Sequence, residues 1–170
     1  AIMLSGETAA GAYPVEAVRT MARIAERTEG DIDYRKRFSQ AKVSELCNVT
    51  DAISHATCAA AHDLNAAAVI TVSKSGMTGR MISKFRPLVP IIGCSPDEKV
   101  LRQMNLSWGV MPIYVEEKKS TDELFEAAVS AARQAGVIKD GDLTVITAGV
   151  PLGKSGTTNM MRIHVVGEPM

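Results

Sequence analysis

Residues 68–78 read Ala68-Val69-Ile70-Thr71-Val72-Ser73-Lys74-Ser75-Gly76-Met77-Thr78. The first five form a short β-branched run, the composition of a strand. A Ser/Gly turn follows, and Gly76 to Phe85 is helical in composition until Pro87 stops it. A strand that passes into a helix through such a turn is half of a β-α-β unit. The same passage recurs downstream. Val89-Pro90-Ile91-Ile92-Gly93 reads as a strand, Asp97 to Leu106 as a helix and Gly109 to Val115 as a strand. Ser120 to Ala135 reads as a helix, with Ser120 or Thr121 as its cap, Glu123 completing a capping box and Gly136 ending it. Leu143 to Ala148 is the next strand and Asn159 to Val166 the last. Strands alternating with single helices predict an α/β fold, a three-layer sandwich with a mostly parallel sheet and helices on both faces. Only the loop 149–158 separates the last two strands. It is too short for a crossover helix, so the fifth strand is expected antiparallel at the sheet edge.

Upstream, a helix is expected from about 50 to 63, capped by Asn48 or Thr50, with Asp51 in its first turn. Ile53, Ala56, Ala60 and Leu64 mark its expected buried stripe. Residues 15–27 predict another helix: Pro14 suits the first turn, and Val15, Val18, Ala22 and Ala25 recur at helical spacing. The polar stretch 29–40 reads as a linker and places a domain boundary there. The chain opens Ala1-Ile2-Met3-Leu4-Ser5-Gly6-Glu7 without a start methionine. That apolar run resembles the tail of a buried strand entering a loop. A buried strand needs neighbours on both sides, so the expectation is a piece of a longer protein.

Composition narrows the function. The 170 residues carry 19 Lys plus Arg against 19 Asp plus Glu, so no excess positive charge favours a nucleic acid or a membrane surface. Aromatic residues make up only 4%, few for stacking on single strands. No apolar run approaches the roughly 20 residues that span a bilayer. Cys47, Cys58 and Cys94 fit neither a disulfide framework nor a C-x-x-C pair, and read as small apolar residues of a reduced, cytoplasmic protein.

Four stretches bear chemistry. Residues 73–78 lie at the carboxyl end of a strand and open a helix, where unpaired N–H groups and the dipole favour phosphate. Ser73, Ser75 and Thr78 add hydroxyls, Lys74 an ammonium and Gly76 room for the backbone; the competing reading is an ordinary capped turn. Ala148-Gly149-Val150-Pro151-Leu152-Gly153-Lys154-Ser155 approaches a Walker A motif. Ala148 stands at its first glycine, however, Pro151 removes a backbone donor, and a strand rather than a helix follows. His55, Cys58 and His62 share one helix face, and with Cys47 they could ligate a metal. The bland reading is two partly exposed histidines beside a buried cysteine. Finally, Ser5 and Glu7 sit among glycines after the opening run, as active-site loops of a (β/α) barrel do.

Together these stretches resemble the pyruvate kinase family. The resemblance runs through residues 3–14 (MLSGETAAGAYP), 49–53 (VTDAI), 73–76 (SKSG), 85–87 (FRP), 149–151 (GVP) and 156–162 (GTTNMMR), in family order. The 150–153 loop and the 163–167 ending look bacterial. The resemblance implies a parent glycolytic enzyme that transfers phosphoryl from phosphoenolpyruvate to ADP, giving pyruvate and ATP, with Mg²⁺ and K⁺. It places residues 1–28 at the end of the catalytic (β/α)₈ barrel, 29–40 in a linker and 41–170 in an allosteric C-terminal domain. The family's main catalytic residues lie upstream of Ala1, so this chain alone is expected to be inactive and to hold no cofactor. Ser5 and Glu7 match positions near the active-site mouth only.

The resemblance further implies an effector pocket. Its phosphate loop matches Ser73, Lys74, Ser75, Gly76, Met77 and Thr78. Its closing loop matches 151–157, with Gly153, Lys154, Ser155, Gly156 and Thr157. Fructose 1,6-bisphosphate, ribose 5-phosphate and AMP are the effectors it suggests, and residues 116–121 show no recognisable grip for a second phosphate. Self-association into a homotetramer and contact with the missing barrel complete the expected partners. The alternative is a free-standing sugar-phosphate or nucleotide-binding module.

Overall fold

A computed structural model describes residues 2–40, 48–153 and 157–170. The chain forms two compact units, Ala1–Tyr34 and Arg35–Met170.

The first unit holds α1 (Gly6–Ala9) and α2 (Pro14–Gly30), with Pro14 in the first turn of α2 as its fixed φ allows. Residues 2–4 are not a strand, and Ile2 and Met3 are exposed, because an extended segment needs a neighbouring ladder to satisfy its backbone. Of the expected apolar stripe of α2, Val15, Val18 and Ala22 are exposed and Ala25 is half-buried. The stretch 29–40 is largely helical, carrying the end of α2 and then α3 (Tyr34–Ser39).

The second unit is the predicted sandwich. α4 (Val49–Asp63) leads into β1 (Ala68–Val72), α5 (Met77–Lys84), β2 (Ile91–Ser95), α6 (Glu98–Met104) and β3 (Val110–Tyr114). α7 (Thr121–Gln134), β4 (Leu143–Ala148) and β5 (Met160–Val165) complete it. The caps expected from sequence form. Asn48 accepts the Asp51 N–H, and the Ser120 hydroxyl accepts the Glu123 N–H. Strand order is β3-β2-β1-β4-β5; the first four are parallel and β5 pairs antiparallel with β4 at the edge.

Alternation along the strands splits the core in two. Val69, Ile91 and Val145 point to the side of α4 and α5, packing with Cys58, Ala61, Ile82 and Phe85. Ile70, Ile92, Cys94 and Ile146 point the other way, onto Phe125, Ala128 and Ala132 of α7. The buried face of α4 is not the expected one. Ser54, Thr57, Cys58, Ala61 and His62 are buried, whereas Leu64 is exposed. Small side chains let the helix approach the sheet closely, and although the buried Ser54 hydroxyl has no hydrogen-bond partner, the helix itself supplies acceptors to others. Thr57, for example, donates to its own helix at the Ile53 carbonyl, 2.8 Å away. Apolarity alone therefore misplaces this stripe by about one residue.

The order β3-β2-β1-β4-β5 means that the chain leaves β1 in one direction and returns on its other side at β4. The loops at the carboxyl ends of β1 and β4 diverge there and leave a crevice.

Candidate functional site

That crevice is a cavity of about 330 Å³, within the range of small-ligand sites. Every parallel strand contributes from its carboxyl end: Ser73, Lys74 and Thr78 after β1, Ser95 and Pro96 after β2, residues 115–119 after β3, and Gly149, Leu152, Gly153 and Thr157 around the β4–β5 loop. Val72, Val115, Leu124 and Leu152 supply an apolar wall.

The loop after β1 is tied down by its backbone. The Ser73 N–H donates to the Cys94 carbonyl at 3.0 Å, and the Ser95 hydroxyl donates to the Lys74 carbonyl at 3.4 Å. Gly76 then takes a left-handed φ of 71° as it enters α5, a conformation that costs a residue bearing Cβ. A Cβ there would also stand 3.0 Å from Val100 and Met104. The turn leaves the first N–H groups of α5 without intrahelical acceptors. Of the six residues expected to bind phosphate, Ser73, Lys74 and Thr78 line the cavity; Ser75, Gly76 and Met77 do not. Gly76 is buried beneath the turn, and Ser75 and Met77 are exposed.

Two of the donors are engaged. The Thr78 hydroxyl is 2.8 Å from that of Thr158, and the Thr158 N–H donates to the Thr50 hydroxyl at 3.2 Å. Lys74 Nζ is 2.5 Å from Glu117 Oε1. Glu117 and Thr158 were not singled out from sequence. The run Glu116-Glu117-Lys118-Lys119 directly after a strand was the available signal, and it places two lysines and two carboxylates on the cavity wall.

The closing loop is pinned at its neck. The Asn159 side chain accepts the Val150 N–H at 2.8 Å and donates to the Val150 carbonyl at 2.6 Å. The Val150–Pro151 peptide is cis. At Gly149 a Cβ would collide with the Thr157 carbonyl, so only glycine permits this closure. Gly153 and Thr157 line the cavity; Lys154, Ser155 and Gly156 lie outside the described residues. The segment continues into β5, not a helix, which agrees with rejecting a Walker A loop.

The histidine–cysteine face of α4 has other work. His62 is buried, contrary to the reading of both histidines as partly exposed, and its Nε2 accepts the Leu88 N–H at 2.9 Å. Burial, aided by the Arg35 guanidinium and opposed by Asp63, lowers its pKa below 6.5. His55 stacks on Phe38 at 4.7 Å. Burial pushes the Cys58 and Cys94 thiols up to about 12, so both stay protonated, inert residues. Cys47 lies outside the described residues. Among the described residues no group of three or more His, Cys, Asp or Glu converges on a possible metal site. Among them, too, no helix is long and apolar enough to cross a membrane. In the first unit, Ser5 and Glu7 are exposed at the start of α1, where the Ser5 N–H donates to the Glu7 carboxylate at 3.3 Å.

Comparison with known proteins agrees with this architecture. The family model described as "Pyruvate kinase, alpha/beta domain" matches residues 51–164. Pyruvate kinase of Clostridium acetobutylicum is 51% identical over 166 residues, covering 98% of this chain and 35% of that protein. Pyruvate kinase of Geobacillus stearothermophilus is 46% identical over 168 residues, covering 99% of this chain and 29% of that protein. The solved structure of a pyruvate kinase from Cryptosporidium parvum superposes with a TM-score of 0.83 at 32% identity, covering 96% of this chain and 32% of that one. The chain thus spans about a third of the length of these relatives. Sheet order, antiparallel edge strand and sequence identity agree, and the chain belongs to the pyruvate kinase family, with residues 51–164 as its alpha/beta domain.

Proposed function

We propose that this chain is the regulatory and assembly part of a cytoplasmic pyruvate kinase, and that its cavity binds a phosphorylated small-molecule effector. One observation carries the reading: the β1–α5 turn, the lysine-bearing segment after β3 and the β4–β5 loop all open into the same cavity. The phosphate sits on the Ser73, Lys74 and Thr78 side, where free helical N–H groups and an ammonium converge. The Gly153 and Thr157 side closes over the rest of the ligand.

Phosphoryl transfer from phosphoenolpyruvate to ADP, with its Mg²⁺ and K⁺, belongs in this proposal to the remainder of the enzyme. Phosphoryl transfer needs metals and cations arranged around the migrating group, and no step of it is assigned to residues of this chain. Self-association of the parent fits β5, whose outer edge carries no neighbouring strand among the described residues.

The test is a titration of the chain with fructose 1,6-bisphosphate, ribose 5-phosphate and AMP, read by amide shifts. At least one ligand should perturb residues 73–78 and 152–157 together, and Lys74→Met should weaken it about tenfold, the loss of one charge-assisted contact. Shifts confined to any other surface would overturn the assignment.

A further inference from the structure

Lys74, the cation nearest the turn after β1, already has a carboxylate partner. Lys74 and Glu117 come from segments after different strands, both line the cavity, and their Nζ and Oε1 atoms are 2.5 Å apart. Their side chains are 46% and 58% exposed, so the pair is a surface one that contributes little to the fold. Glu116 does not compete for Lys74, since its Oε2 faces Lys118 Nζ at 3.3 Å. To an ammonium, a carboxylate oxygen at this distance is chemically equivalent to a ligand's phosphate oxygen.

We propose that Glu117 is the internal counter-anion of the site: in the free chain its carboxylate holds the place at Lys74 that a ligand's anionic oxygen takes on binding. The inference rests on the phosphate reading above and adds how the site selects its ligand. A tethered carboxylate is present at high effective concentration, so a free carboxylate of equal charge gains nothing by replacing it. A phosphate dianion offers the ammonium more charge and offers further acceptor oxygens to the N–H groups of α5. The site therefore discriminates phosphate esters from carboxylates, although both are anions. Once displaced, Glu117 stays on the cavity wall as a like charge, which weakens every anionic ligand.

The test uses the whole chain at fixed pH and ionic strength, because an exposed pair is screened by salt. Inorganic phosphate and acetate are titrated against wild type, Glu117→Gln, Lys74→Met and the double variant, by calorimetry and amide shifts. Gln keeps the size of Glu and removes its charge. Glu117→Gln should bind phosphate about two- to fivefold more tightly, the range expected for releasing an exposed ion pair. Acetate should gain no more than phosphate does, because the Glu117 carboxylate competes with both anions for Lys74 and repels the dianion more. In the Lys74→Met background the same substitution should have no effect, since the cycle isolates the pair. An equal gain in both backgrounds would show a general field effect and overturn the counter-anion. Equal phosphate affinity in wild type and Glu117→Gln would overturn it too, while leaving the phosphate reading intact. Absence of phosphate binding by all four proteins at tens of millimolar would refute both.

Discussion

Thr78 and Thr158 hold the cavity's two loops together through one hydrogen bond, and its energy can be tested from both ends. Their hydroxyls are 2.8 Å apart, bridging 80 positions of sequence. Thr78 is 4% exposed and Thr158 is 2% exposed. Valine matches threonine in shape, so each Thr→Val substitution removes a hydroxyl and strands its partner. A stranded buried hydroxyl costs about 1–3 kcal/mol. The two substitutions are not equivalent. Thr158→Val strands Thr78, which lines the cavity and can take up a water; its cost belongs near 1 kcal/mol, the low end of that range. Thr78→Val strands Thr158, which does not line the cavity, and its cost belongs near 2–3 kcal/mol. Replacing both leaves no orphan, so the double variant should lose at least about 1 kcal/mol less than the sum of the singles.

Urea unfolding reads this directly. Trp108 is the protein's only tryptophan and lies in the Arg35–Met170 unit, so its fluorescence reports on that unit alone. With a urea slope of about 2 kcal/mol per molar, Thr78→Val should lower the midpoint by roughly 1 M at unchanged slope. Additive losses, or a loss below about 0.5 kcal/mol for both singles, would refute the reasoning.

Two further outcomes follow from the packing of this unit. His62 accepts the Leu88 N–H and so requires a neutral ring, and its pKa is held below the 6.5 that the unfolded chain shows. The unfolded state then takes up the proton first: stability is full above 6.5 and falls as the pH drops through 6.5 toward the lowered value. Urea midpoints measured over about pH 7 to 5 should slope less for His62→Gln than for wild type, with a remaining slope from His164, whose pKa is also lowered by burial; equal slopes would reject the assignment. Gly93 gives a packing test, because a Cβ there would stand 2.8 Å from Met104 Sδ and 3.0 Å from Val110 Cγ1. Gly93→Ala should cost about 1–3 kcal/mol by overpacking, and a thermal midpoint unchanged from wild type would contradict that.

Local chemistry made most of the second unit legible. The five strands, the capping by Asn48 and Ser120, and the antiparallel β5 all follow from neighbours in sequence: periodicity, cap side chains and a connection too short for a crossover. The 73–78 turn was visible for the same reason, since its hydroxyls, lysine and glycine are contiguous. The buried face of α4 was less legible, because Ser54, Thr57 and Cys58 are chosen for closeness to the sheet and not for apolarity.

What tertiary structure alone decided is which distant loops meet. Strand order is set by long-range pairing: putting β4 beside β1 brings residue 158 to residue 78, and putting β2 between β1 and β3 brings residue 117, after β3, to residue 74. Those pairings consumed the Thr78 hydroxyl and the Lys74 ammonium, which the sequence reading had counted as free donors. Sequence determines which groups stand at a strand end. Whether they face a ligand, a carboxylate or another hydroxyl depends on the neighbouring strand, and no spacing along the chain encodes that distance.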